Sequence, residues 1–405
     1  MFVASNAALS RRRFTTGAFA TVLAAGFGRS ASAEPAPKNA PGGKWRAVII
    51  GHTGEGDYGH GLDAIFNDRP DVEVVGLADP DAAGRAKAAE RSKAPRTYAD
   101  WRELLEKEKP QLVCLASRWT HERHPAAIAA LNSGAHLVSE KPFTSTLSEA
   151  DELLALAERN GAKIAVAHQM RLAPSVQVLH QAVASGLIGD LLEINAWGKQ
   201  DDRAGGEDMI VLGSHMLDLM RFFGGDAAWC TARVLSAGRD ITKKDARIVK
   251  ERIGPVAGDE IFAQFAFPNG VMGSFTSRKK LRQQTGHWGL ELVGSKTSAR
   301  VLADVFPAVH VLKPGKWDAA GRADQWQRLE TDSGAKLSAE ERGFGPANRR
   351  LVDDWLEAIR DNREPGCSGR NATKALELIM AVYQAALSGA RAALPLTNRA
   401  HPLAA

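Results

Sequence analysis

The sequence predicts an α/β protein whose first half forms a parallel β-sheet with helices on both faces. Short apolar segments alternate with helical patterns between residues 45 and 167, as expected for repeated β-α-β units. A glycine-rich turn follows the first apolar segment, and an aspartate ends the second. This order is typical of folds that bind dinucleotides at the carboxyl ends of their strands.

Five short apolar segments are predicted as strands, at residues 45–50, 72–78, 112–116, 136–139 and 164–167. Helical patterns lie between them at residues 81–91, 100–107, 125–132 and 148–159. Thr146 and Glu149 have the spacing of a capping box before the last of these helices, and Asn160-Gly161 supplies a stop signal after it.

The turn after the first strand is rich in glycine. Gly54, Gly56 and Gly59 fit the pattern G-x-G-x-x-G, and Gly51 is an alternative first glycine directly after the strand. Such glycines let the backbone approach a pyrophosphate, with a helix N-terminus facing its charge. Asp79 ends the second strand 20 residues after Gly59, where a carboxylate can bind a ribose 2′-hydroxyl. This order favours a Rossmann NAD site over a plain turn with an aspartate helix cap, and it does not exclude NADP.

The first 33 residues have the order of an export signal. Ser10-Arg11-Arg12-Arg13-Phe14 matches a twin-arginine pattern, an apolar run follows at residues 17–28, and Ala31-Ser32-Ala33 fits a cleavage site. The apolar run is far shorter than the roughly 20 residues that a membrane span needs. We therefore expect export to the periplasm by the twin-arginine route, with residues 34–43 as a flexible linker.

Most of the net charge of +5 belongs to this predicted leader. Four arginines of the leader account for all but one unit of the excess, since the chain has 52 Lys and Arg against 47 Asp and Glu. A nearly neutral body lacks the basic surface of a nucleic-acid-binding protein. The sequence therefore predicts no nucleic-acid partner, and no integral membrane association, because no later segment is long and apolar enough.

The three cysteines, Cys114, Cys230 and Cys367, are too few and too far apart for a disulfide framework. No group of His, Cys, Asp and Glu has the spacing of a metal site. His121 and His124 are three residues apart, but a third ligand is not evident in the sequence. The sequence thus predicts no metal site.

A longer motif spans residues 112–142. A histidine precedes the pattern A-G-x-H-V-x-x-E-K-P, which here comprises His124, Gly134, His136, Glu140, Lys141 and Pro142. Further motifs are R-x-x-P from Arg171, G-x-I-G from Gly186 and G-x-H-x-x-D from Gly213. Together they resemble the Gfo/Idh/MocA oxidoreductases, and the resemblance covers nearly all of residues 45–396.

The resemblance implies a Rossmann domain followed by an α/β domain with a large, mostly antiparallel open sheet. We assign residues 44–168 to the first domain and 169–396 to the second, whose C-terminal helix packs back toward the first. Residues 189–197, 260–267, 271–277 and 289–293 fit strands of the second sheet, with a turn at residues 268–270. Because the face of this sheet often joins subunits in the family, the resemblance also implies a homo-oligomer.

The resemblance places Lys141 beside the nicotinamide and the substrate, and it makes His215 the acid or base at the sugar hydroxyl. An imidazole suits proton transfer near neutral pH. Many relatives carry an aspartate where this chain has Val211. Asp208 lies on the same helical face as His215 if one helix contains both, and it is either a substitute catalytic acid or a first-turn acid that stabilises the helix dipole.

Other residues are expected around the same cleft. The cofactor side comprises Gly51, Gly54, Gly56, Gly59, Asp79, Trp119, His124, Glu140 and Lys141. Trp119 either stacks on the nicotinamide or sugar or closes the domain interface. The substrate side comprises His168, Arg171, Lys199 and Asp218. Lys199 belongs to a charged group with Asp201, Asp202 and Arg203, which either binds substrate or is a solvated loop.

These residues predict an exported NAD(P)-dependent oxidoreductase that acts on a sugar, cyclitol or sugar derivative by hydride transfer. Because export precedes use, the cofactor is expected to be tightly bound and recycled in place. An NAD-dependent glycosidase, working by transient oxidation and elimination, is the main alternative. A cofactor-binding sensor without catalysis is the third hypothesis.

Overall fold

The computed structural model describes residues 36–37, 39–40, 43–281, 288–313, 325–329 and 343–404. The predicted leader and most of the predicted linker lie outside these residues. None of the helices in the described ranges combines the length and apolarity that a membrane span requires.

The first sheet confirms the predicted parallel architecture. Its six strands are β1 (Trp45–Ile50), β2 (Val72–Ala78), β3 (Thr97–Tyr98), β4 (Leu112–Leu115), β5 (His136–Ser139) and β6 (Ile164–Val166). They are ordered β3-β2-β1-β4-β5-β6 and pair in parallel, which is the doubly wound order of dinucleotide-binding folds. The two-residue strand β3 was not predicted, because so short a segment has no measurable pattern.

The helices around this sheet are α1 (Ala82–Ser92), α2 (Trp101–Glu108), α3 (Thr120–Asn132) and α4 (Leu147–Asn160). The predicted capping box is present: Thr146 accepts from the Glu149 N–H, and the Glu149 carboxylate accepts from the Thr146 N–H. Helix α3 begins five residues before the predicted start and contains Pro125 within it. The prediction had placed this proline at the helix start, where its missing N–H costs least.

The helix expected after the glycine-rich turn is absent from this part of the described chain. Residues Gly59–Ala64 form a 3₁₀ helix, which His60 (φ 50°) and Gly61 (φ 70°) interrupt in the left-handed region. Gly59, His60 and Gly61 are all poor helix formers. The expected arrangement of a helix N-terminus facing a pyrophosphate was therefore wrong at this position.

The second sheet is mostly antiparallel, as expected. Its strands are β7 (Leu191–Trp197), β8 (Trp229–Ser236), β9 (Arg239–Asp240), β12 (Glu260–Ala266), β13 (Met272–Arg278), β14 (Gly289–Gly294), β15 (Ser298–Leu302), β16 (Ala308–Leu312), β17 (Trp326–Arg328) and β18 (Ala392–Ala393). The order is β17-β16-β15-β14-β7-β13-β12-β8-β18, with β9 beside β8. Only the β7–β13 pair of these described strands is parallel. A separate antiparallel pair joins β10 (Arg247–Ile248) to β11 (Pro255–Val256).

Five further helices cover this part of the described chain. They are α5 (Pro174–Ala184), α6 (Gly206–Val211), α7 (Gly213–Gly224), α8 (Phe344–Arg360) and α9 (Gly369–Ser388). Helix α8 returns to the first sheet, where Trp355 is fully buried and donates its indole N–H to the Lys163 carbonyl at 3.1 Å. Helix α9 packs against β8, α7 and α4. The two C-terminal helices therefore hold both sheets together and fix the cleft between them.

Candidate functional site

The candidate site lies at the carboxyl edge of the first sheet. The loops after β1, β4, β5 and β6 all end at this edge, because parallel strands present their carboxyl ends together. Each loop carries residues that the sequence predicted. The edge has two distinct regions, one at the glycine-rich turn after β1 and one after β5 and β6.

Three glycines of the turn allow close packing. A Cβ atom at Gly51 would overlap the Tyr58 ring, one at Gly56 (φ 96°) would overlap the Ser117 hydroxyl, and one at Gly59 would overlap the Glu140 carboxylate. Gly54 (φ 84°), in contrast, faces open space with no atom within 4 Å of its Cβ position. Of the four predicted glycines, Gly54 is therefore the one placed to let a ligand approach the backbone.

Asp79 is sealed from solvent, contrary to its expected role at a ribose hydroxyl. Its carboxylate accepts hydrogen bonds from the Thr53 N–H at 3.1 Å, the Thr53 hydroxyl at 2.7 Å, the Tyr58 hydroxyl at 2.9 Å and the Asp81 N–H at 3.0 Å. The residue is 0% exposed. Burial and the Asp79 charge raise the pKa of Tyr58, so this phenol stays protonated and donates. In this structure Asp79 therefore holds the glycine-rich turn in place through its hydrogen bonds to Thr53 and Tyr58.

A cavity of about 420 Å³ opens beside Gly51. Its walls come from the ends of β1 and β4 and the starts of α2 and α3, and they include His52, Pro80, Trp101 and Glu122. Its apolar and aromatic side chains and a few polar groups suit the adenosine half of a dinucleotide. The residues present therefore fit the cofactor, although Asp79 does not line the cavity.

Lys141, His168 and His215, which we call the lysine–histidine cluster, meet at the second region. Lys141 is 4% exposed, and its ammonium donates to the Val211 carbonyl at 2.8 Å. The His168 and His215 rings are edge to face, with centroids 5.2 Å apart. His168 Nε2 and His215 Nδ1 are buried without a hydrogen-bond partner. Buried polar atoms are rarely left unpaired in native proteins, so these two nitrogens mark a place for a polar ligand.

The electrostatics of this cluster favour neutral imidazoles. Burial lowers the pKa of His215 well below its ordinary value, and the nearby charges of His168, Lys141 and His60 lower it further. Burial likewise lowers the pKa of His168, and it lowers the pKa of the Lys141 ammonium, although the Glu140 carboxylate opposes that shift. A neutral imidazole keeps one ring nitrogen as an acceptor, which is available to a substrate hydroxyl.

The carbonyl of Val211 supplies Lys141 with a hydrogen-bond acceptor at the position where many relatives carry an aspartate. The Val211 side chain has no acceptor, but its backbone oxygen receives the Lys141 hydrogen bond. Asp208 does not take the aspartate's place, because its carboxylate accepts from the Lys199 N–H, the Gln200 N–H and the Ser277 hydroxyl. The α6–α7 break at Leu212 (φ −115°) also separates Asp208 from the helix of His215.

Two residues that the sequence did not single out hold the Glu140–Lys141 loop. Arg123 is buried and donates to the Ser139 hydroxyl at 2.7 Å and to the carbonyls of Glu140 and Pro142. The ring of His60 pairs with the Glu140 carboxylate. Burial opposes ionisation of Glu140, but the charge and hydrogen bond of His60, with Lys141 and Arg123, lower its pKa to about 2. No local pattern announces His60, whose partner lies 80 residues away.

Arg171 and Asp218, both predicted to contact substrate, instead pair with each other. Arg171 Nε and Nη2 donate to the two Asp218 oxygens at 2.9 and 2.6 Å, and Nη2 also donates to the Asp218 carbonyl at 3.1 Å. Their side chains are 8% and 2% exposed. Burial raises the pKa of Asp218, but the Arg171 charge outweighs it and lowers that pKa overall. The pair links the 3₁₀ turn after β6 (Gln169–Leu172) to α7 and thereby fixes His168 relative to His215.

The remaining predicted residues lie at the border of the cleft. The Arg252 guanidinium lies over the Trp119 ring at 4.8 Å, a contact that closes the domain interface. His124 lies on α3 within 3.2 Å of the Glu152 carboxylate, on the side of α4. Lys199 is half exposed, 4.0 Å from Asp201, and Arg203 bridges Asp201 and Glu251. This charged group borders the lysine–histidine cluster, since Glu251 and Arg203 both act on the pKa of Lys141.

Comparisons with known proteins agree with this geometry. A family model described as an oxidoreductase family with an NAD-binding Rossmann fold matches residues 45–168, and one for its C-terminal alpha/beta domain matches residues 187–394. The chain belongs to the Gfo/Idh/MocA oxidoreductase family. It is an enzyme of the NAD-dependent oxidoreductase class, and NAD is its cofactor.

Several members of the family are similar over most of their length. D-apiose dehydrogenase of Paraburkholderia graminis is 26% identical over 349 residues, which cover 80% of this chain and 84% of that protein. D-glucoside 3-dehydrogenase of Escherichia coli is 23% identical and covers 86% of this chain and 97% of its own length. A structure of levoglucosan dehydrogenase with NADH and levoglucosan superposes with a TM-score of 0.69 at 19% identity, over 87% of this chain and all of that one.

Proposed function

We propose that this oxidoreductase oxidises a hydroxyl group of a sugar or sugar derivative, with Lys141 and His215 as its proton-handling residues. The observation that carries the proposal is the lysine–histidine cluster, in which two buried imidazole nitrogens without partners face the same region as a buried ammonium. The names of the similar enzymes support a carbohydrate substrate.

The residues divide the chemistry as follows. NAD, when bound, supplies the hydride acceptor. The Lys141 ammonium donates one hydrogen bond to the Val211 carbonyl. Its other N–H groups can donate to the substrate oxygen, where the positive charge stabilises a developing alkoxide. The neutral His215 imidazole accepts the hydroxyl proton, and His168 orients a neighbouring hydroxyl. The Arg171–Asp218 pair holds the two histidines in place.

We further propose that the protein is exported by the twin-arginine route, retains its cofactor and forms a homo-oligomer. The support for export is the sequence of residues 1–33, which lies outside the described residues. An enzyme that is exported already folded has to carry NAD with it and regenerate it in place. The support for an oligomer is the exposed apolar side chains of the second sheet, Leu192, Phe262, Met272 and Leu302.

The test begins with the purified, exported protein. We expect denaturation to release nicotinamide, and we expect oxidation of free sugars, glucosides or 1,6-anhydrosugars to reduce NAD. Sugar oxidation that stops after one turnover and resumes only when an added carbonyl acceptor reoxidises the bound NADH would confirm a retained, recycled cofactor. Release of the aglycone from aryl glycosides with no net reduction of NAD would show the glycosidase instead. A protein that binds NAD but turns over neither substrate class would contradict catalysis and support a sensor.

A further inference from the structure

A second group of polar side chains lies at the other region of the sheet edge, away from the lysine–histidine cluster. His52 and Glu55 belong to the glycine-rich turn, while His121 and Glu122 lie in the first turn of α3. We call these four residues the histidine–glutamate cluster. They come from two loops that are far apart in sequence, which is why sequence spacing did not reveal a third ligand for His121.

The distances within the cluster suit a single ion. The ligand atoms of Glu55, His121 and Glu122 all lie within 4.8 Å of one another. His52 Nδ1 lies 2.9 Å from one Glu122 oxygen, and His121 Nε2 lies 3.1 Å from the other. The three residues that share this space supply one imidazole and two carboxylates, and this mixed nitrogen and oxygen donor set suits Zn²⁺ and similar divalent transition ions better than Mg²⁺ or Ca²⁺.

The backbone holds these side chains in place. The N–H groups of Glu55 and Asp57 both donate to the His52 carbonyl, at 3.0 and 2.9 Å, which closes a tight turn. The Ser117 hydroxyl then donates to the Glu55 carbonyl at 2.9 Å, and this hydrogen bond ties the turn to the loop before α3. A site whose supports are already bonded loses little conformational entropy when an ion binds.

The ring of His121 is supported from the second domain. It stacks on the Trp119 indole, with centroids 5.7 Å apart and planes inclined by 27°. The Arg252 guanidinium also lies over the Trp119 ring, 4.8 Å from the ring centroid. His121 is therefore positioned by a stack that crosses the domain interface, although it lies at the surface.

In the described part of the chain, neither Glu55 nor Glu122 forms a salt bridge with a lysine or arginine. The partners of Glu122 are the two imidazoles. His52, His121 and Glu122 also line the cavity beside Gly51. Two carboxylates at the expected path of a pyrophosphate would repel it, whereas a divalent cation between them would attract it.

From this geometry we propose that Glu55, His121 and Glu122 bind a divalent transition metal ion at the pyrophosphate end of the dinucleotide cleft, while His52 positions the Glu122 carboxylate. The ion links the glycine-rich turn to α3 and contributes to NAD binding through the cofactor's phosphates. This role builds on the NAD-binding fold and does not depend on which sugar the enzyme oxidises.

The test is a titration of the chelator-treated, full-length protein with Co²⁺, followed by the visible absorption of the bound ion. We expect one equivalent to bind and Zn²⁺ to displace it. His121→Ala and Glu122→Gln should each weaken binding at least tenfold, while His310→Ala, on the distant strand β16, should leave it unchanged. All three positions are at least partly exposed, so the variants should fold, which thermal melting will verify.

A second titration locates the ion. We expect Zn²⁺ to tighten NADH binding at least threefold in the wild-type protein and to have no such effect on Glu122→Gln. No Co²⁺ binding, or binding that survives both cluster variants, would overturn the metal site. NADH affinity that is the same with and without Zn²⁺ would overturn its place beside the pyrophosphate. Neither assay uses a substrate, so these failures are distinct from a failure of the proposed dehydrogenase activity.

Discussion

The two regions of the sheet edge differ in how closely they follow the family pattern. After β5 and β6, Glu140, Lys141 and His168 lie close to His215. The ring nitrogens His168 Nε2 and His215 Nδ1 have no hydrogen-bond partner there. After β1, the turn lacks the usual α-helix and Asp79 is sealed beneath Thr53 and Tyr58. We call the first the retained region, because residues of the family motifs meet there, and the second the divergent region, because an interrupted 3₁₀ helix follows its glycine-rich turn.

The largest expected effect comes from Lys141 in the retained region. Lys141→Met removes a buried ammonium that has one acceptor, the Val211 carbonyl. We expect kcat to fall by about 10³, since a positioned proton donor contributes roughly 10²–10⁴, while the NADH dissociation constant changes less than about threefold. Steady-state kinetics and fluorescence titration measure the two quantities. Lys296→Met, in an exposed turn, is the control, and equal activity of both variants would refute the role of Lys141.

The Arg171–Asp218 pair sharpens the comparison, because it is a buried ion pair that supports the retained region. Asp218→Asn leaves a buried guanidinium without its charged partner, so we expect the free energy of unfolding to fall by about 3–5 kcal/mol. The matched exposed pair is Arg233–Asp240, with side chains 64% and 63% exposed. Asp240→Asn should leave the free energy of unfolding, measured in denaturant, almost unchanged. A stable Asp218→Asn with a raised KM would instead make Asp218 a substrate ligand.

Asp79 tests the divergent region directly. Asp79→Asn keeps the shape but weakens four buried hydrogen bonds, so we expect a loss of about 1–3 kcal/mol in stability. The ratio of NADH to NADPH affinity should stay within about threefold of the wild-type ratio, because the carboxylate does not line the cavity. Chemical denaturation and titration with both dinucleotides measure these effects. A change of tenfold or more in this affinity ratio in favour of NADPH would show that Asp79 contacts the ribose 2′-hydroxyl.

The smallest effect concerns a buried histidine that has both partners, in contrast to His168 and His215. His136 Nε2 lies 2.7 Å from the Pro37 carbonyl, and Nδ1 accepts from the Lys163 N–H at 3.0 Å. Burial lowers the pKa of His136 to about 4. The unfolded chain therefore binds the extra proton first as pH falls below about 6.5, so the stability contribution of the neutral ring is lost in that direction.

We expect His136 alone to lower the free energy of unfolding by about 2 kcal/mol when the pH falls from 7 to 5. His136→Gln should be less stable at pH 7 but should lose correspondingly less on acidification. Urea unfolding of both proteins at the two pH values measures the difference. Parallel losses in the two proteins would mean that His136 is not a neutral buried group.

The sequence predicted most of the first sheet and the retained region because their signals are local. Lys141 and Glu140 stand in one motif at the end of one strand, and the capping box of α4 lies within four residues. The pairs that were missed join distant positions: His60 with Glu140, and His52 with Glu122. Such contacts depend on which loops meet at the sheet edge, and no spacing in the chain records that.

Asp208 and Asp79 show a second limit of sequence reasoning. Both were correctly placed near strand or helix ends, but the direction of each carboxylate was decided by backbone N–H groups and hydroxyls that needed acceptors. A single break at Leu212 was enough to remove Asp208 from the face of His215. Residue type and spacing identify candidates for a site, and the hydrogen bonds select among them.

The central claim is that this enzyme removes hydride from a sugar carbon at the lysine–histidine cluster. The most direct measurement offers perdeuterated glucose and its methyl glucoside to the protein with stoichiometric NAD, followed by mass spectrometry of the dinucleotide. We expect one deuterium in the NADH formed by the wild-type protein and almost no labelled NADH with Lys141→Met in the same time. Reduction without label, or equal labelling by both proteins, would contradict it.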